Sequence, residues 1–230
     1  MSYDHVDISI DDRTATVSFD RTEYDNRIIA EMMSQYIEAL EEATDADVDV
    51  LVVRGKGGNF TVGRDQDENP EGLSKADNLS MIFRANELLT EFDGVTIAAV
   101  EGKALGFGCG TAAQCDLTIA TDTSLFGFTE INHGFAPTIV LTWLETYVGR
   151  KTALDLVMTG RRVAATEAKE MGLVTQVVEE DRFEAVVQDT VDDMLEKNIE
   201  ALKTCKFYPR EIQTVDADER ADYALGKLLD

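Results

Sequence analysis

The segment Glu101-Gly102-Lys103-Ala104-Leu105-Gly106-Phe107-Gly108-Cys109-Gly110 constrains this chain more than any other stretch. It leaves a β-rich run over 96–100, bends at glycines that allow backbone angles closed to other residues, and enters a helix predicted over 107–114. A strand handed this abruptly to a helix belongs to a layered α/β structure in which the two pack on each other. The surrounding stretch 95–113 is also the most apolar of the sequence. Glu101 and Lys103 interrupt it and glycines crowd its end, which argues against a membrane span.

The same alternation runs through the first part of the chain. Residues 6–10 and 15–19 read as a hairpin of two edge strands around Asp11-Asp12-Arg13. Ile29, Met33, Tyr36, Ile37 and Leu40 at helical spacing predict an amphipathic helix over 27–44, followed by a strand over 48–53, a helix over 79–92 and, past the glycine-rich segment, a strand over 117–120. After Pro137 the sequence turns helical, over 138–147, 151–158, 166–171, 181–197, 200–210 and 217–229, with 174–178 the one late strand. The expected organisation is one domain over 1–230, with a core to residue 137 and a mainly helical region over 138–230. Amphipathic helices there offer a self-association surface.

Forty-five Asp and Glu against 21 Lys and Arg give a net charge of -24. A surface this acidic repels polyanions, so nucleic acid is the least expected partner. The acids are spread over helices and loops, a pattern like that of proteins from salt-loving organisms, where salt screens the repulsion. Cys109, Cys115 and Cys205 form no paired framework and no metal-ligand spacing, so reduced core thiols in a cytoplasmic protein are expected. The first residues lack the basic-then-apolar order of a signal peptide.

A second junction, Gly58-Asn59-Phe60-Thr61-Val62-Gly63-Arg64-Asp65, also follows an apolar strand directly. Free backbone N–H groups at such junctions, with the partial positive charge of a helix N-terminus, suit a developing oxyanion. Together the two junctions and later segments resemble the enoyl-CoA hydratase/isomerase (crotonase) family. Gly58 to Asp65 is similar to the family's A-F-x-A-G-A-D segment, and Ile97 to Asp116 to its I-A-A-V-x-G-x-A-x-G-G-G-x-E-x-x-x-x-C-D signature. Phe126 to Gly134 parallels F-G-x-P-E-x-x-x-G, and Leu156 to Arg161 with Ala164 to Val178 follows L-x-L-T-G-R and A-x-E-A-x-x-x-G-L-V-x-x-V-V.

The resemblance implies a crotonase-like α/β spiral of strand-strand-helix repeats with a helical C-terminal region, assembled as a homotrimer or dimer of trimers. It implies an acyl-CoA thioester as substrate and no separate cofactor or metal. The backbone N–H groups of Arg64 and Phe107 would bind the thioester oxygen, Arg64, Asp65, Gln66, Asp67 and Gly106 would line the substrate, and Glu130 would be the base. Phe107 stands where the family has a glycine. His133 is a further candidate acid or water-orienting group. Leu79, Met81, Phe83, Phe128, Ile139 and Trp143 are candidate acyl-cavity residues, although spacing assigns Trp143 and Tyr147 first to core or interface. Family members commonly run further at the C-terminus, where final helices cover the acyl pocket or reach a neighbour's coenzyme A.

Gly110 stands where hydratases of the family carry a second glutamate, and Thr138 where dienoyl-CoA isomerases and chlorobenzoyl-CoA dehalogenases carry an aspartate. A single glutamate suffices to move a double bond, so the sequence favours isomerisation over hydration. A non-catalytic acyl-CoA sensor is the rival reading. The charge pattern predicts loss of helical ellipticity in dilute buffer and its recovery in molar salt; a full far-ultraviolet spectrum without salt would refute the salt-loving reading.

Overall fold

The structure, a computed structural model, describes residues 3–229. In chain order it contains β1 (Val6–Asp11), β2 (Thr14–Phe19), α1 (Ala30–Asp45), β3 (Val50–Gly55), α2 (Lys75–Thr90), β4 (Val95–Val100), β5 (Lys103–Leu105), α3 (Phe107–Gln114), β6 (Leu117–Thr121) and β7 (Leu125–Gly127). There follow α4 (Thr138–Leu141), α5 (Leu144–Val148), α6 (Arg150–Thr159), β8 (Val163–Ala164), α7 (Ala165–Met171), β9 (Gln176–Val178), α8 (Phe183–Leu195), α9 (Ile199–Glu211) and α10 (Arg220–Leu229).

Alternate residues of the central strands are buried on opposite faces, which is why these strands read as continuous apolar runs. Leu51, Val53, Ala98 and Val100 join the large core with α1, α2 and α3, whereas Val50, Val52, Val95, Ile97 and Ile119 pack against Phe183, Val186, Val187 and Val191 of α8. The main sheet has the order β1-β2-β3-β4-β6-β9. The first pair is antiparallel and the remaining pairs are parallel. β2 was expected at an edge but lies inside the sheet, with Val17 beside Val53.

A second sheet, β5-β7-β8, carries the short strands that periodicity cannot detect at three residues or fewer. Thr61 forms an isolated parallel bridge to Ala104 and so continues this sheet beyond β5. The chain therefore repeats one unit: a strand of the large sheet, a short extended piece in the small sheet, then a helix. Successive units are β3, Thr61 and α2; β4, β5 and α3; β6, β7 and α4. Equivalent residues of successive units become neighbours.

The expected helix over 138–147 is two short helices, α4 and α5, broken at Thr142-Trp143. The Thr142 hydroxyl donates to the Ile139 carbonyl at 2.6 Å, and Trp143 takes φ -134 and ψ -26, which turns its indole inward against Phe128. Cys205 is exposed on α9 and is not a core thiol, unlike Cys109 and Cys115. Among the described residues no helix is long and apolar enough to cross a membrane.

Of the ion pairs that fasten α9 to the body, Lys206–Asp116 is the most buried. Lys206 Nζ lies 2.9 Å from Asp116 Oδ2 and donates to the carbonyls of Phe92 and Gly94, each at 3.0 Å. The same Asp116 oxygen accepts from the Thr96 amide and hydroxyl, so the end of α3, the start of β4 and α9 meet at one carboxylate. Lys206→Met leaves that carboxylate and two carbonyls without their cation. The expected loss is about 2 kcal/mol in chemical denaturation, below the range for a fully buried pair because Asp116 is partly solvated.

Candidate active site

Thr61 and Ala104 are bridged residues of adjacent units, and three residues beyond them lie Arg64 and Phe107. Thr61 N–H donates to the Lys103 carbonyl at 3.0 Å and Leu105 N–H to the Thr61 carbonyl at 2.9 Å, which clamps the two junctions side by side. Asn26 holds the first junction from below. Its buried side chain donates to the carbonyls of Lys56, Asn59 and Phe60 and accepts from the Arg21 amide, while its own carbonyl accepts from the Thr61 hydroxyl at 2.6 Å.

Gly63 and Gly106 then bring the backbones into contact. Both take positive φ, +88 and +52, and a Cβ on Gly63 would lie 2.8 Å from the Leu105 carbonyl oxygen. Ile28 N–H donates to Gly63 O and Asp65 N–H donates to Ile28 O, at 2.9 and 2.8 Å. Because N–H groups alternate in direction along an extended chain, the Arg64 N–H points the opposite way. Phe107 is the first residue of α3, where no intrahelical acceptor exists for its N–H. Gly106 supplies the left-handed angle, so Phe107 needs none. Its ring turns into the core, edge-on to Tyr36 at 6.1 Å.

Glu130 arrives from the next unit. β7 pairs in parallel with β5, Leu105 beside Gly127, and Gly106 N–H donates to the Gly127 carbonyl at 2.8 Å. A 3-10 turn over Glu130–His133 follows, and the Gly160 corner braces it: Asn132 Nδ2 donates to the Gly160 carbonyl at 3.1 Å. Glu130 Oε1 lies 3.3 Å from where a Cβ on Gly106 would stand, and Oε2 is buried with no hydrogen-bond partner. Burial pushes the Glu130 carboxyl above its ordinary value, opposed by a backbone N–H and by the charge of His133.

These groups line one cavity of about 480 Å3, walled by α2, α3 and α4. Arg64, Gln66, Gly106, Phe107, Glu130 and His133 all line it. An unpaired base beside two aligned main-chain donors can remove a proton next to a bound carbonyl and leave the charge on the carbonyl oxygen.

Comparison with known proteins gives the family. The profile of enoyl-CoA hydratase/isomerase sequences matches residues 10–221. The chain belongs to that family. It is 32% identical over 209 residues to a probable enoyl-CoA hydratase, echA8, of Mycobacterium tuberculosis, covering 90% of this chain and 81% of that protein. It is 30% identical over 232 residues to a hydroxycinnamoyl-CoA hydratase-lyase of Pseudomonas fluorescens, covering 97% and 84%. The crystal structure of an enoyl-CoA hydratase from Mycobacterium smegmatis shares the crotonase fold at a TM-score of 0.89 and 24% identity, covering 98% of this chain and 90% of that one.

Within the family frame, several expected residues sit elsewhere than anticipated. Asp65 and Asp67 do not line the cavity; the Asp65 carboxylate accepts from the Asp67 N–H at 3.1 Å and shapes its own loop. The Arg64 guanidinium is half-buried and donates to Asn78 of α2. Leu79, Phe83, Ile139 and Trp143 line the cavity, but Met81 does not, and Phe128 is buried behind Trp143. Thr138 lines it at the start of α4. Asn26 was missed, since a lone asparagine ahead of a helix reads as an ordinary turn residue.

Gly63→Ala forces both the collision with Leu105 and the positive φ. Acyl-CoA turnover is expected to fall by about 10²-fold or more in steady-state kinetics. Gly58→Ala, also at positive φ (+80) but facing open space, isolates the strain and is expected to cost only about 1–3 kcal/mol in stability.

Proposed function

We propose that this chain binds an acyl-coenzyme A thioester, holds its carbonyl oxygen on the Arg64 and Phe107 amides, and uses Glu130 as a single base to move a double bond. The orphaned Glu130 Oε2 carries the reading. A buried carboxylate oxygen without a partner costs stability unless a ligand group is to meet its carboxyl, and Glu130 lines the same cavity as Arg64 and Phe107.

With a 3-enoyl thioester, Glu130 takes the proton from the carbon next to the carbonyl and the electron pair passes into an enolate, its charge on the thioester oxygen. The same carboxyl returns the proton two carbons further along as the double bond shifts toward the carbonyl. No net atom is gained or lost. His133, exposed at the cavity on the same turn, is placed to tune Glu130 by its charge.

Gly110 favours isomerisation over hydration. It is buried, it lines the cavity without a side chain, and Trp143 Cζ2 lies 3.6 Å from where its Cβ would be. No carboxylate stands there to position water. Hydration by Glu130 with an ordered water is the second reading, favoured by the names of the relatives, among them a hydratase-lyase aligned over 97% of the chain.

Incubation with a 3-enoyl-CoA and, separately, crotonyl-CoA separates the two readings; turnover of crotonyl-CoA alone would refute isomerisation. Glu130→Gln is expected to abolish either activity. Because the folded pKa is raised, stability is full below the unfolded value, falls as pH rises toward the folded value, and stays lower above it. Glu130→Gln removes that loss, so the variant should melt higher than the parent at neutral pH. In the parent, the acid limb of kcat/KM should lie above the ordinary glutamate pKa.

A further inference from the structure

The cavity that holds Glu130 is bounded on its α5 side by side chains that also face a neighbouring space. A second cavity, of about 540 Å3, lies beyond it between α2, α3, α5 and α9. Phe83, Asn86, Thr142 and Trp143 line both cavities and so form the wall between them. Trp143 is the largest of the four. Its indole is held edge-on to Phe128 and to Tyr147, at 6.3 and 5.3 Å between ring centres, and its Cζ2 reaches the bare face of Gly110. Gly110 lies one helical turn beyond Gly106, where the Glu130 carboxylate rests, so the wall stands roughly 6 Å along α3 from the base.

The two cavities differ in chemistry. Leu79, Phe83, Ile139 and Val140 give the first an apolar lining around the reacting groups. The second adds to its aromatic residues the polar and charged groups of Gln114, Thr146, Lys206 and Arg210. Both cations are already engaged, Lys206 by Asp116 and Arg210 by Glu91, and so offer no charge to an incoming group. The Gln114 side-chain oxygen is buried there without a partner. A hydrocarbon tail entering this space would cover that oxygen further without offering it a partner.

We propose that Trp143 is the specificity-determining partition of the acyl site, limiting the protein to short or compact acyl thioesters by closing the passage to the second cavity. The inference rests on the acyl-CoA reading above and adds the class of acyl group. Gly110 is part of the device, because a larger side chain there would displace the indole from the wall.

Trp143 is the sole tryptophan of the sequence, so the intrinsic indole fluorescence of the protein reports on the wall alone. In the unaltered protein, butyryl-CoA is expected to shift or quench that emission while coenzyme A without an acyl group leaves it unchanged. Equal responses to the two ligands would overturn the placement of the acyl group against the indole. Binding of butyryl-CoA and decanoyl-CoA is then compared by calorimetry in the parent, Trp143→Phe and Trp143→Ala. The parent is expected to prefer butyryl-CoA by about 10-fold or more, and Trp143→Ala to shift the ratio of the two affinities toward decanoyl-CoA by a similar factor, with Trp143→Phe between them. A parent without preference, or a ratio unmoved in Trp143→Ala, would overturn the partition while leaving acyl-CoA binding intact. Failure of the parent to bind either ligand would overturn the acyl-CoA reading itself, and the partition with it.

Discussion

Two main-chain N–H groups held inside a pocket without acceptors are costly for any fold, and the packing around Arg64 and Phe107 is what prevents them from finding other partners. Left to itself, the 58–65 loop would turn its amides toward solvent or toward its own side chains. Asn26 occupies three of its neighbouring carbonyls, Thr61 locks onto Ala104, and the Gly63–Gly106 contact leaves no room for the backbone to rotate away. The donor pair is therefore a property of register between successive units of the fold.

The same register delivers Glu130. Because β5 and β7 run parallel, the chain leaves both in the same direction, into α3 and into the Glu130 turn. The closure that aligns the amides also removes water from Glu130, so one act of burial strengthens the electrostatics of the donors and raises the proton affinity of the carboxylate. The brace from Gly160 and Asn132 gives the T-G-R segment, far away in sequence, a direct part in positioning that carboxylate.

Much of this was legible in the residues. The longer elements were, because apolar patterning sustained over a whole strand or helix reports a buried face; α1, α3 and the central strands lie within a few residues of where the pattern places them. So were the two junctions, because glycines clustered at a strand-to-helix handover mark a backbone that must turn sharply in a confined space, whereas Glu130 was marked only by the resemblance of its segment to the family's. The small sheet was not, since β5, β7 and β8 are too short to show a period and are extended only because neighbours pair with them. Nor was the position of Trp143 against Gly110. Spacing along a helix says which residues share a face, but the helix breaks at that residue, and the direction of the indole depends on Phe128 and Tyr147 instead.

The use of main chain for the two donors has a consequence for how such a protein can diversify. Only proline deletes an amide proton, so the two N–H groups survive nearly any other exchange that leaves the neighbouring glycines and the register intact. Change is free to act on the remaining wall, at positions such as Gly110, Glu130, Thr138 and Trp143, without rebuilding the means of stabilising the charge. The glycine-rich segments thus carry the part of the cavity that side chains do not define, and the few side chains facing it carry the rest.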